Sequence, residues 1–350
     1  MNCPYKIMKK FLFILFLLAA VTFAGWKWTQ YFFAYQNPQT IILEIPPGAS
    51  LKTISRLLFE NKVIPHKLSF ELYARLIKKA NKLKAGEYEL EAGLRPLQVL
   101  DKMVAGQVRQ YALTIPEGFN LDQIGDILIT KGLATKQEWF LLKKETSLLR
   151  PLGVEATSLE GYLFPETYTY TKTSTAKNLM ENMVRLFAKK LMDEEKNKAA
   201  SMGLNLHQWV TLASLIEKET GLGSERPLIA GVFLNRLKLG MLLQTDPSVI
   251  YGIPHFNGNL TLADLERDTP YNTYTRPGLP PGPICSPGWE SMQAVLHPAQ
   301  TQALYFVGKG DGSHFFSENL DQHNQAVRYY QLRQGREPIP TFHPPLKKGD

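Results

Sequence analysis

Cysteine is nearly missing from this chain: 350 residues contain two, Cys3 and Cys285. That is too few, and too widely spaced, for a disulfide framework. No Cys/His cluster has metal-ligand spacing, and there is neither a P-loop nor a GxGxxG run, so no metal or nucleotide cofactor is expected. Long blocks of like charge are also absent. The 40 Lys and Arg outnumber 32 Asp and Glu, for a net charge of +8 spread along the chain. So mild a basic excess suits an anionic surface, such as a membrane or cell-wall polymer, and leaves no footprint for nucleic acid. With 44% hydrophobic and 21% charged residues, the composition excludes disorder and gives room for two or three domains.

What the chain does have is one long apolar run near its start. Lys6, Lys9 and Lys10 precede Phe11 to Trp26, which is uncharged and, as a helix, about 24 Å long. This falls slightly short of a hydrocarbon core of roughly 30 Å. Trp28, Tyr31, Phe32, Phe33 and Tyr35 extend it as an aromatic interfacial belt, with Lys10 and Lys27 able to snorkel. An uncleaved single-pass anchor over residues 1–35 is expected, in preference to a cleaved signal peptide. Positive charge before the span puts the N-terminus in the cytoplasm and the rest outside, so Cys3 and Cys285 would lie on opposite sides and could not pair.

The remainder reads as α+β. A strand at Thr40 to Ile45, a Pro-Pro-Gly turn, a helix opened by Ser50, a helix around Phe70 to Ile77, the strand "KAGEYELEAG" and the helix "RPLQVLDKMVAGQV" make a small module over 40–106. It resembles the LysM-like domain of cell-wall proteins; a plain α/β spacer fits the pattern equally well. "LEIPPGASLKTISRLLFENKVI" and "LTIPEGFNLDQIGDILITKGLA" share a strand ending in Ile-Pro, a Gly and then a helix, which suggests two related substructures. Beyond them we expect helices at Thr175 to Lys196, Leu206 to Thr220 and Arg226 to Leu239. A turn-rich stretch from Gln244 follows, then a helix around Glu290 to Leu296, a hairpin in "ALYFVGKGDGSHFF" and a closing helix at Gln322 to Leu332.

The chemistry concentrates in "ASLIEKETGLGSER". At about 100° per residue, Trp209, Leu212, Leu215 and Ile216 share one arc, and Glu219 falls inside it. Glu217 lies on the flank and Lys218 faces away. A carboxyl on an apolar face loses hydration, so its pKa rises and it can stay protonated near neutrality, as a general acid must. The bland reading makes Glu219 a buried acid paired with Arg226 or Arg236, and Glu217 a partner in a surface pair.

The stretch "TLASLIEKETGLGSERPLIAGVFLNRLKLGMLLQTDPSVIYG" resembles the signature of the YceG-like, or MltG-type, endolytic murein transglycosylases. The likeness continues through "YNTYTRPGLPPGPICSPG", "AVLHPAQTQALYFV" and "HFFSENLDQHN", and is present earlier in "LEGYLFPETY". It implies an inner-membrane enzyme, with its catalytic domain over 107–345 in the periplasm, cleaving the MurNAc-GlcNAc bond inside nascent peptidoglycan strands. The products would carry 1,6-anhydroMurNAc ends, and cleavage would terminate elongation alongside the peptidoglycan synthases. The resemblance puts the catalytic acid in the EKET motif; helix geometry favours Glu219 and keeps Glu217 in reserve.

Gln244, Thr245, Asp246, Tyr251, Asn272 and Tyr274 supply the amides, hydroxyls and stacking faces that sugars need, and Asn235 on the preceding helix is a further candidate for substrate binding. The loop residues among them sit in turn-forming contexts as well, where scaffold roles are equally natural. Glu166 is expected to make a structural hydrogen bond. His297, His314 and His323 have no metal-ligand spacing and are expected to be structural. The run Pro277 to Gly288 is expected to be a rigid loop walling the glycan groove. Two other readings compete: a non-catalytic membrane-anchored wall-binding scaffold, and a murein hydrolase using Glu219 with Asp246.

Overall fold

The structure, a computed structural model, describes residues 4–338. The expectation for Cys3 and the end of the 107–345 segment lie outside them. The chain divides into two compact units, one formed by Met1–Ala112 and Thr169–Thr173, the other by Leu113–Tyr168 and Ser174–Asp350. Among the described residues the architecture is mixed: helices with three small two-stranded sheets.

The first unit begins with helix α1, Pro4–Ala34, in which Met8–Ala34 is long and apolar enough to cross a membrane. Strand β1, Ile41–Ile45, pairs antiparallel with β2, Gly86–Leu90, from Ile41 opposite Leu90 to Ile45 opposite Gly86. Between them run α2, Leu51–Glu60, and α3, Lys67–Leu76; α4, Pro96–Ala105, closes the unit. Ser50 forms the first turn of α2 by accepting from Thr53 N at 3.1 Å. The core gathers Ile45, Ile54, Leu58, Phe70, Tyr88, Leu90 and Leu100, all nearly inaccessible. Phe32 corrects the sequence reading. It is 3% exposed and belongs to this core, so the aromatic cluster at the end of α1 is not uniformly interfacial. Tyr35 likewise turns to protein, donating to Lys62 O at 2.6 Å.

The suspected repeat is matched by the order of elements and by the geometry of the turn and helix end, and the order continues beyond the matched sequence. Strand β3, Tyr111–Thr114, leads through Ile115-Pro116-Glu117-Gly118 to α5, Leu121–Thr130, as β1 leads through Ile45-Pro46-Pro47-Gly48 to α2. Gly48 and Gly118 both have φ +74, a left-handed turn that favours glycine. Val63 N bonds Leu58 O at 2.8 Å, and Leu133 N bonds Leu128 O at 2.9 Å, so both helices end alike. Next come α6, Lys136–Leu142; β4, Thr167–Tyr170, which pairs with β3; and α7, Ala176–Lys190. They follow in the same order as α3, β2 and α4, and β4 pairs with β3 as β2 pairs with β1. A 3-10 segment, Thr146–Leu152, and the "LEGYLFPE" stretch are inserted before β4.

The second unit continues with α8, Asp193–Ser201; α9, Leu206–Glu219; and α10, Arg226–Lys238. The single helix expected over Thr175 to Lys196 is in fact two. Leu191 is buried at the break, and α8 opens with Asp193, Glu194 and Glu195, a first turn that suits the positive end of a helix. The turn-rich stretch holds two short helices that periodicity missed, α11, Asp246–Tyr251, and α12, Leu262–Glu266. Then α13, Trp289–Leu296, the hairpin of β5, Tyr305–Gly308, and β6, His314–Ser317, and α14, Leu320–Tyr330, complete the described chain. Asn319 caps α14, moving its start two residues ahead of the expected Gln322.

Candidate active site

Helix α9 is the centre of the second unit. Asn205 and Gln208 form a capping box at its start, and every residue from Trp209 to Ile216 is buried. The helix is therefore enclosed on all sides, not along one arc. Trp209 Nε1 donates to Met292 O at 2.8 Å, and Ser214 Oγ accepts from Ile284 N at 3.0 Å. The Pro277 to Gly288 loop thus packs on α9, with Cys285 fully buried beneath it.

Glu219 is the last residue of α9, since Thr220 is already extended at φ −141, ψ 138. Its residue surface is only partly exposed. Burial pushes the carboxyl up to about 7, and the nearby charge of Asp246 adds to the rise. A hydrogen bond from the Thr245 hydroxyl to Oε1 and the positive charge of Arg236 oppose it. Arg236 does not pair with Glu219. Its Nε donates to Leu304 O at 2.6 Å, and its Nη1 to Leu242 O at 3.1 Å and Leu243 O at 2.9 Å. The guanidinium therefore ties the chain after α10 in place and acts on Glu219 only through its field.

Glu217 is also withdrawn from water, its side chain 7% exposed, so burial alone does not separate the two acids. Their partners do. Glu217 Oε2 accepts from Gly288 N at 3.0 Å and from Ser291 Oγ at 2.6 Å, and Oε1 lies 3.6 Å from Arg226. Arg226 in turn binds Glu290 and stands 3.9 Å from Glu117. The sequence reading of Glu217 as a surface pair is corrected: it is a buried anchor for the start of α13. An added Cβ at Gly288 would meet the carboxyl of Glu117, a half-exposed side chain that would have to turn aside.

Of the other residues singled out, Thr245, Asp246, Gln244 and Tyr274 gather beside Glu219. Gln244 sits at φ +48, a strained position for a side-chain-bearing residue, and its N bonds Thr273 O at 3.1 Å. Tyr274 donates to Asp246 Oδ1 at 2.6 Å, and burial raises its phenol well above the usual range. Asp246 is exposed. The amides of Asn235 and Asn272 are taken up by backbone: Asn235 Nδ2 by Thr301 O and Ala303 O, Asn272 Nδ2 by Asp264 O, Leu265 O and Arg267 O. Tyr251 points instead to another acid, Glu160. Glu166 is exposed and accepts from Thr167 N at 3.0 Å. His314 binds Glu225 at 2.7 Å, His297 contacts Lys198 at 2.8 Å, and His323 stacks on Tyr305.

Glu160 was missed by the sequence reading. It is 4% exposed and accepts from Leu121 N, the first residue of α5, and from Tyr251 at 3.0 Å. Burial pushes it up to about 7 as well. It lies on the wall of a cavity of about 870 Å³ whose lining also includes Lys143, Lys218, Pro247, Ile250 and Phe256. An acid inside the apolar run "LEGYLF" was the available signal, the same criterion that picked out Glu219.

A profile of the YceG-like family matches residues 43–329. The chain belongs to the YceG-like family. It is 33% identical over 309 residues to an endolytic murein transglycosylase of Bacillus subtilis, covering 83% of this chain and 85% of that one. It is 32% identical over 319 residues to an endolytic murein transglycosylase of Streptococcus pneumoniae, covering 82% of this chain but 58% of the longer pneumococcal protein. Among solved structures, a yceG-like protein from Listeria monocytogenes matches with a TM-score of 0.58 at 34% identity, over 82% of this chain and 98% of that one. This YceG-like chain therefore shares sequence with all three proteins, and fold with the listerial one.

Proposed function

We propose that this YceG-like protein is a membrane-anchored endolytic murein transglycosylase with Glu219 as its catalytic acid. The observation that carries the assignment is the contrast within α9: Glu217 is engaged by Arg226, Ser291 and Gly288, whereas Glu219 has one hydroxyl donor and a carboxyl raised to about 7. A carboxyl in that range is available as a proton donor near neutrality.

Neutral Glu219 donates its proton to the glycosidic oxygen between N-acetylmuramic acid and N-acetylglucosamine as that C–O bond breaks. The sugar's own 6-hydroxyl closes on the anomeric carbon and gives its proton to the Glu219 carboxylate. The 1,6-anhydro ring forms and the acid is restored. Because the nucleophile is tethered, effective molarity replaces a positioned water, and one carboxyl serves both steps. Thr245, by donating to Oε1, stabilises the carboxylate stage and orients the group. Gln244, Asp246 and Tyr274 stand where they can contact the sugar.

The same reading makes α1 a single-pass anchor with its N-terminus inside, supported by Lys9 and Lys10 ahead of the apolar run. The second unit would then face the wall, on the side where glycan polymerases deliver nascent strands. The first unit, with its strand, two helices, strand and helix, fits a LysM-like wall-facing module.

Mass spectrometry of muropeptides released from purified peptidoglycan tests the function, using the full chain with Glu219→Gln and Glu217→Gln. Internal cleavage with anhydro ends, lost in Glu219→Gln, is the expected result. Reducing ends would instead mark a hydrolase pairing Glu219 with Asp246, the exposed carboxylate nearby. Binding without cleavage would mark a scaffold.

A further inference from the structure

Helix α3 carries an apolar face that none of the described residues covers. Leu68, Leu72 and Leu76 recur at i, i+4 and i+8 and are 72%, 64% and 76% exposed. The core side of the same helix is made by Phe70 and Ala74, both nearly inaccessible. A periodic stripe of three exposed leucines is more than the scattered apolar residues that any surface shows.

The position of α3 identifies what covers it. Its N-cap, His66, packs against Trp28 at 5.5 Å and Tyr31 at 5.7 Å, and Tyr73 meets Phe33 edge-on at 5.6 Å. All three aromatic partners belong to α1, directly after the apolar run that ends at Trp26. At about 1.5 Å per residue, these contacts span only the first ~11 Å of α1 beyond that run. An interfacial helix buries its apolar face ~5–10 Å into the headgroup and acyl boundary, a depth that fits this placement. Charge agrees with the placement. Lys62, Lys67, Arg75, Lys78 and Lys82 are exposed on and around α3, with Lys67 over the ring of Phe59 and Arg75 3.7 Å from Glu71. A leucine face rimmed by basic residues is the pattern of a helix that lies on an anionic lipid surface.

We propose that α3 is a second membrane contact, with Leu68, Leu72 and Leu76 inserted into the bilayer surface beside the point where α1 emerges. The inference rests on the reading of α1 as a membrane span. Its consequence is mechanical: the first unit is held against the bilayer at two places and does not swing freely on α1.

The test uses the full chain in liposomes of phosphatidylcholine and phosphatidylglycerol, in a Cys3→Ser background. An environment-sensitive dye is attached at Leu72→Cys or, as a reference within the span, at Ala24→Cys. Lipids carrying a quencher at headgroup level are expected to quench both dyes, and the dye at 72 should emit further to the blue than when the protein is in detergent without lipid. Quenching at 24 with none at 72, and free access of iodide to 72, would overturn the proposal while leaving the anchor intact. Protection of 72 from iodide without lipid quenching would overturn it in favour of a second copy of the chain as the cover. Loss of lipid quenching at both positions would remove the anchor reading itself. Leu72 is exposed, so its replacement leaves the core of the unit unchanged.

Discussion

Thr245 opens helix α11, yet its hydroxyl donates to Oε1 of Glu219 and does not cap that helix. Its backbone is held from the other side: Thr245 N donates to Thr273 Oγ1 at 3.0 Å, and its carbonyl accepts from Ser248 Oγ at 2.8 Å. The strained Gln244 before it, whose N bonds Thr273 O and whose side-chain oxygen accepts from Arg236, completes the turn that aims that hydroxyl. Since the bond favours the carboxylate, removing it must push Glu219 higher still.

For Thr245→Val, which keeps the shape and deletes the donor, the alkaline limb of the rate against pH is expected to move upward by about one unit. With Glu219 as the proposed acid, raised to about 7, that limb is expected near pH 7 in the unaltered protein, because the protonated form is the donor. The maximal rate should fall about tenfold as the developing carboxylate loses its partner. A profile with an unmoved limb would dissociate Thr245 from the acid.

Glu217 gives the opposite signature, in stability before activity. Glu217→Ala leaves Arg226, Gly288 N and Ser291 without their shared acceptor, a loss on the order of 3 kcal/mol, softened because Arg226 keeps Glu290. Glu217→Gln retains an acceptor oxygen and should unfold at an intermediate temperature. Thermal unfolding of both variants, set beside anhydro-product formation by Glu217→Gln, checks this: cleavage by the Gln variant should persist at temperatures where it is folded.

Glu160 predicts how stability depends on pH. Its carboxyl is raised from the ordinary 4.5 to about 7 in the folded chain, so the folded state binds more protons between those values. Stability must therefore fall as pH rises from about 4.5 to about 7, and stay level beyond, by on the order of 3 kcal/mol for this group. Glu160→Gln, which removes this titration but keeps an oxygen for Leu121 N or Tyr251, should make that slope shallower and leave the share of Glu219, which is raised to the same value. Unfolding temperatures of the two proteins across pH 4 to 8 decide it; parallel curves would mean that Glu160 is not the group responsible.

How far the sequence spoke for the fold depended on whether a local pattern carried the information. The first unit was readable because its strands alternate and its helices announce themselves by Ser50 and by Pro-Gly turns. The repeat was visible in its first half alone, where Ile-Pro and Gly recur, since an insertion displaces β4 and α7 from their counterparts. At the site, the helical arc picked out Glu219 but for an incomplete reason. A helix buried all round gives no contrast between faces, and what separates Glu219 from Glu217 is the reach of Arg226 at the start of the next helix and of Gly288 and Ser291 from a distant part of the chain. Asn235 and Asn272 illustrate the same limit: an amide in a polar loop reads alike whether it faces a sugar or three carbonyls.

Phe32 carries the last prediction, about where the first unit really starts. Sequence hydropathy put the anchor at residues 1–35, which makes Gln36 the natural beginning of a soluble fragment. The structure places Phe32 among Ile45, Leu58, Phe70 and their neighbours at 3% exposure, and Tyr35 on Lys62 O. A fragment beginning at Gln36 therefore lacks a core side chain that no other residue replaces. Deleting a buried phenylalanine ring typically costs about 3–5 kcal/mol, a large share of what a unit of this size has. The fragment from Gln36 should unfold well below one that begins at Lys27, and Phe32→Ala in the longer fragment should reproduce most of the difference. Equal unfolding temperatures for the two fragments would return Phe32 to the membrane interface.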